Sequence, residues 1–165
     1  MKLNVPIFPL ILFLKEKSFK SNARLKVKFF SKFVNYGVIS DDSGLCIKAL
    51  NNRPGVFSAR LAKKHGSFLK AMKFILKKLK NKKNRNATFV CSLSYKDERG
   101  KIITVQGNLK GSISNKITGK KGFGYDPIFV PRGKEITFGQ MTKIKKMRMD
   151  HRFLAYKELL KKVKI

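Results

Sequence analysis

Acidic residues are scarce in this chain, so where they stand is informative. Only 9 of its 165 residues are Asp or Glu, against 39 Lys or Arg. Two of the nine are adjacent aspartates, Asp41 and Asp42, and Ser43 and Gly44 follow them. A hard divalent cation such as Mg2+ is held by carboxylate oxygens together with substrate phosphate oxygens. Neighbouring residues on an extended segment face opposite sides, so one carboxylate can face a site while the other supports it. The competing reading is an ordinary acidic turn at a strand end.

Two further clusters have chemical potential. Gly122-Phe123-Gly124-Tyr125-Asp126-Pro127 combines glycines, which permit close backbone approach to a ligand, with aromatics able to stack on a base. Its plainer reading is a tight turn feeding a strand. It is not a phosphate loop of the Walker type, because Gly119-Lys120 is followed by Lys121 instead of Ser or Thr. The third cluster is His151-Arg152 at a helix start, with Lys146 upstream. Three donors near a helix N-terminus suit an anionic or carbonyl-bearing ligand. His65 has no such context and reads as an exposed loop residue.

The elements that position these clusters follow from periodicity. Ser18 or Ser21 caps a helix running to about Val34, with Leu25, Phe29 and Phe33 on one face. Residues 37–50 read as a strand, an acidic turn and a second strand. A loop centred on Pro54-Gly55 leads to a helix from about Gly66 to Leu79, with Leu69, Met72, Leu76 and Leu79 on its apolar face. Phe89, Cys91, Leu93 and Tyr95 alternate as a strand, and Asp97 to Gly100 turns into its partner, which continues through Ile113. A short strand spans about Pro127 to Val130. The last helix runs from about Arg148 to Val163, with Phe153, Tyr156, Leu160 and Val163 at helical spacing. Hairpins mixed with helices indicate an α/β or α+β fold on a mixed sheet.

Composition bounds the function. The length suits one domain with a core of its own. The net charge of +30 comes from 31 Lys and 8 Arg, spread over nearly every segment. Nucleic-acid readers concentrate Arg as well as Lys, so this is a chain-wide bias and no specific nucleic-acid partner is expected. Such a surface still attracts small anions such as nucleotides. Cys46 and Cys91 lie in apolar runs without a CxxC pair, as buried thiols of a reducing cytoplasm do. The apolar start, Met1 to Leu14, is interrupted by Pro6 and Pro9 and is too short to span a membrane.

Together the clusters resemble the inosine triphosphate pyrophosphatase family. The stretches that carry the likeness are SDDSGL (Ser40 to Leu45), RPGVFSAR (Arg53 to Arg60), GFGYDPIF (Gly122 to Phe129) and Lys146 with His151-Arg152. SFKSNARLK (Ser18 to Lys26) is similar to the helix ahead of the family's aspartates. The resemblance implies an elongated two-lobed α/β fold, with a long curved mixed β-sheet flanked by helices, usually as a homodimer. It makes residues 18–165 one pyrophosphatase domain and leaves 1–17 unmatched. The implied reaction is Mg2+-dependent hydrolysis of deaminated purine nucleoside triphosphates (XTP, ITP, dITP) to the monophosphate and pyrophosphate. Asp42 is implied as metal ligand and base. Ser43 is implied as a substrate contact. Phe123, Gly124, Tyr125 and Asp126 are implied as part of the base pocket, with Lys146, His151 and Arg152.

The chain also departs from the family pattern. Nothing in Met1 to Lys17 matches the family's first strand and its Thr/Ser-x-Asn-x-x-Lys loop, both expected to be missing. Ser21 stands where the family has a metal-binding glutamate, and Asp150 stands where it has a serine. A second reading follows from these departures: a weakly active or inactive remnant that binds nucleotides or nucleic acid through charge alone.

Overall fold

The computed structural model describes residues 17–163. The missing first strand and phosphate loop concern residues that lie outside this range, Lys17 excepted. Helix α1 (Phe19–Phe30) starts at Ser18, whose hydroxyl accepts the Ser21 N–H at 3.1 Å. It stops at Phe30, short of Val34, because Lys32 and Phe33 donate to the Phe29 and Phe30 carbonyls in tight three-residue turns.

Strand β1 (Val38–Ile47) is continuous, and the expected acidic turn does not exist. Each of its residues pairs antiparallel with β3 (Asn86–Lys96), from Val38 opposite Lys96 to Ile47 opposite Ala87. Unbroken pairing is possible because the two carboxylates find cations on both faces of the strand. The turn Asp97–Gly100 is as expected and leads into β4 (Ile102–Ile113), and Gly100 takes φ 87° there. With β2 (Arg53–Pro54) and β5 (Phe129–Pro131) the sheet order is β2-β1-β3-β4-β5. All four pairings are antiparallel, so the parallel neighbour that a mixed sheet requires is not among the described residues.

The helices are α2 (Ser58–Lys64), α3 (Phe68–Lys78), α4 (Lys143–Met147) and α5 (His151–Leu160). Helix α3 turns Met72, Leu76 and the capping Leu79 inward as expected and buries Ala71 and Ile75 with them, while Leu69 is 51% exposed. The expected last helix is α5, shorter at both ends than Arg148 to Val163, and α4 is a separate helix before it. Asp150 caps α5, its carboxylate accepting the Phe153 N–H at 2.9 Å. The new start turns His151, Ala155 and Leu159 inward and leaves Tyr156 and Leu160 partly exposed.

The main core joins Leu45, Ile47, Met72, Ile75, Phe89, Phe129 and Phe138, and a smaller cluster joins Cys91, Leu93 and Val105 to Ala155 and Leu159 of α5. Helices α1 and α5 both pack on the long strands. They cover opposite faces: Ser40 of β1 donates to the Ala23 carbonyl of α1, whereas Asp41 accepts from Arg152 of α5. Gly107 sets how closely α5 approaches, since a Cβ there would collide with the backbone of His151 and Ala155. His151 lies flat on Phe89, with ring centroids 4.7 Å apart and planes 11° apart. Burial, aided by Arg152 and Lys146, drops its pKa from 6.5 to about 3.

Two outcomes follow for stability. Gly107→Ala should lower it by about 2 kcal/mol or more, because α5 must lift from the sheet; urea unfolding checks this. His151 is neutral when folded and protonates near pH 6.5 when unfolded. Its contribution is therefore fully present above pH 6.5 and declines as pH falls toward 3. His151→Gln should flatten the fall in urea midpoint between pH 7 and pH 4 relative to the parent protein.

Candidate active site

The geometry is built outward from β1. Alternation along the strand sends Asp42 to α1 and Asp41 to α5. Asp42 Oδ1 accepts from Lys26 Nζ at 2.9 Å, and its Oδ2 accepts from Asn22 Nδ2 at 3.0 Å. Asn22 and Lys26 are four residues apart on α1, so both reach the same side of it. Lys26 also donates to the Asp41 carbonyl at 2.8 Å. The Oδ1 of Asn22 is buried without a partner.

On the other face, Asp41 accepts from Arg152 at 2.7 Å and from Ser43 at 2.9 Å. Burial raises the Asp41 pKa, but these bonds and the Arg152 charge outweigh it and hold the carboxyl below its usual value. Of the two aspartates, Asp41 is the one that faces a cavity, and it supports no turn. It lines a cavity of about 910 Å³ with Lys121, Phe123, Lys146, Asp150 and Arg152.

The GFGYDP segment forms one wall of that cavity. Gly122 takes φ 82°, and a Cβ on it would collide with the Asp126 carboxylate. Its absence lets Asp126 Oδ2 accept both the Phe123 N–H and Lys146 Nζ at 2.6 Å. Burial raises the Asp126 pKa, and Lys146 and Phe123 oppose that. Phe123 itself is 76% exposed, an open aromatic face at the cavity wall.

The expected site residues thus divide. Phe123, Lys146 and Arg152 line the cavity. Ser43 and Asp126 stand behind it, each bonded to a lining residue. Tyr125 belongs to the core, its phenol donating to the Ser58 carbonyl at 2.9 Å. Gly124 packs near Phe68, and His151 is buried against Phe89. Asp42 is across the strand. Lys121, Lys143 and Asp150 line the cavity without having been singled out as contacts, since one lysine among so many has no distinguishing spacing. Asn22 and Lys26 had a usable signal in their four-residue separation.

Cys91 is buried and its thiol pKa is pushed up to about 11, so it is not a thiolate nucleophile at neutral pH. Among the described residues no group of three or more His, Cys, Asp or Glu could hold a metal ion. A site resting on Asp42 alone still fits Mg2+, which takes few protein carboxylates and completes its shell with phosphate and water. Each oxygen of Asp42 accepts a single hydrogen bond and keeps further lone-pair capacity.

Comparison with known proteins agrees with the motifs. The Ham1 family model matches residues 14–162. The chain is 41% identical over 143 residues to the dITP/XTP pyrophosphatase of Acholeplasma laidlawii, covering 87% of this chain and 70% of that one. It is 39% identical over 146 residues to the Bacillus subtilis protein of the same name, covering 87% and 74%. Among solved structures, the Staphylococcus aureus Ham1 protein superposes with a TM-score of 0.83 at 36% identity, over 94% of this chain and 83% of the other. With the match spanning most of its length and the α/β fold shared, the chain belongs to the Ham1 family.

Proposed function

We propose that the protein hydrolyses deaminated purine nucleoside triphosphates (ITP, dITP and XTP) to the monophosphate and pyrophosphate. The observation that carries this reading is the convergence of Phe123, Lys146 and Arg152 on one cavity, one strand residue away from a carboxylate facing the other side. Beyond its pairing with β2 at Cys46 and Ile47, the outer edge of β1 has no partner strand among the described residues. A nucleotide laid across that edge places its base on the α5 face and its phosphates on the α1 face. The dITP/XTP pyrophosphatase names of the relatives support the same assignment.

Each side chain then has a task. Phe123 offers a ring to the purine. Lys146 and Arg152 donate to the 6-oxo group, an acceptor that the 6-amino group of adenine does not provide. Asp126 and Asp41 hold those two cations in place. Lys26 faces the phosphates. Asp42 takes a proton from the attacking water as the bond between the α-phosphorus and the bridging oxygen breaks and pyrophosphate leaves. Asp42 would hold Mg2+, and a bound Mg2+ would neutralise phosphate charge. The active species is expected to be a homodimer in the cytoplasm. Binding by charge alone, the second reading, is favoured by the net charge of +30 and by Ser21, a half-buried residue whose hydroxyl bonds only within its own turn.

Two experiments test this. Pyrophosphate release should be at least about a hundredfold faster from ITP than from ATP, because a site built on donor–acceptor pairing rejects the mismatch. Equal rates, or binding of both that vanishes at moderate salt, would favour charge alone. Asp42→Asn should abolish Mg2+-dependent turnover while ITP binding survives. Asp41→Asn should release Arg152 and weaken ITP affinity more than turnover. Kinetics and calorimetry on both variants decide, and the opposite pattern exchanges the two roles.

A further inference from the structure

Four of the nine acidic residues, Asp41, Asp42, Asp126 and Asp150, surround the cavity and the strand beside it. Three are ion-paired with a cation, Asp41 and Asp126 through Oδ2 alone and Asp42 through Oδ1, whereas Asp150 has no salt-bridge partner among the described residues. Asp41 is held by Arg152 and Ser43, Asp42 by Lys26 and Asn22, and Asp126 by Lys146 and the Phe123 N–H. Asp150 differs. It is 93% buried and lines the cavity, and its Oδ1 accepts the Phe153 N–H as the cap of α5. Its Oδ2 accepts no hydrogen bond among the described residues. Helix capping needs one oxygen only, and a serine supplies it as well. The second oxygen, and the charge it carries, are surplus to the cap.

We infer that Asp150 is a specificity-determining residue that reads the N1–H edge of the purine and favours hypoxanthine over xanthine. The inference rests on the reading of this cavity as the base pocket. Its geometry is a pair of neighbours. The Asp150 N–H donates to the Lys146 carbonyl at 2.9 Å, so the two side chains come from adjacent turns and both reach the cavity. A 6-oxopurine presents an acceptor, O6, directly beside a donor, N1–H. A donor and an acceptor set side by side match that edge in order. Lys146 and Arg152, which line the same cavity, are ion-paired with Asp126 and Asp41 rather than with Asp150.

Discrimination then arises at the neighbouring position 2. Hypoxanthine has only a hydrogen there. Xanthine has a second oxo group, and its ring sheds a proton near neutrality to become an anion. A buried carboxylate facing that edge repels both features. A neutral serine does not.

The test uses binding, so it does not depend on turnover. Affinities of ITP, XTP and ATP are measured by calorimetry without added metal for the parent chain, Asp150→Ser and Asp150→Asn. Both replacements keep an N-cap, and circular dichroism verifies that α5 and the fold persist. The parent should prefer ITP to XTP, and Asp150→Ser should shift the ITP/XTP affinity ratio toward XTP by about tenfold. Asp150→Asn, which removes charge but keeps an acceptor, should move the ratio the same way. An ITP/XTP ratio unchanged within twofold in both variants overturns the role of Asp150 while leaving the base pocket standing. A loss of ATP affinity exceeding that of ITP also overturns it, since Asp150 would then be pairing with an amino group. A parent that binds none of the three overturns the pocket itself and this inference with it.

Discussion

The site depends on the two-residue period of β1. A strand paired in register over its whole length cannot send consecutive side chains to the same face. Asp41 and Asp42 are therefore committed to opposite sides of one sheet. Everything else is arranged around that separation. Helix α1 brings Asn22 and Lys26 to one carboxylate, and α5 brings Arg152 to the other. The two chemical tasks of the proposed reaction, holding a base and handling phosphate, are kept on different faces of the same strand at the shortest possible separation along the chain.

The partners of these carboxylates also explain how the strand survives. Two adjacent negative charges in a half-buried strand would be costly without compensation. Each is compensated on its own face by a charge-assisted bond, 2.9 Å from Lys26 to Asp42 and 2.7 Å from Arg152 to Asp41. In a chain carrying a net charge of +30, the scarce anions have a second effect. They fix specific cations in place, so that Lys146 and Arg152 differ from the many solvated lysines by being held rather than by being charged. Position, supplied by Asp126 and Asp41, is what turns an ordinary lysine or arginine into a candidate for recognition.

Close packing ties this arrangement to the core. The absence of a side chain at Gly107 lets α5 rest on the sheet, and the absence of one at Gly122 lets Asp126 reach the Phe123 N–H. His151, flat against Phe89, anchors the first turn of α5 in the same layer as the main core. Arg152 follows it directly and projects to the cavity. The helix start that presents the guanidinium is thus held by an aromatic contact one residue earlier.

Much of this was legible in the order of residues. The cap at Ser18, the hairpin turn at Asp97 to Gly100 and the three clusters are local signals, set by bonds spanning a few residues. The opposite facing of two consecutive aspartates is also a property of any extended chain. Local signals failed where partners come from far along the chain. The acidic run reads as a turn in isolation and becomes mid-strand only because Arg152, 111 residues away, and Lys26 neutralise it. The inner face of α5, and Leu69 on α3, depart from the expected pattern because burial is decided by the neighbouring elements, not by the helix's own period. Which aspartate lines the cavity, and that Asp150 keeps an unused oxygen there, follow from packing α5 against β3 and β4. Sequence dictates the alternation, whereas the tertiary contacts choose which side of it faces a ligand, because only they determine where the compensating charges stand.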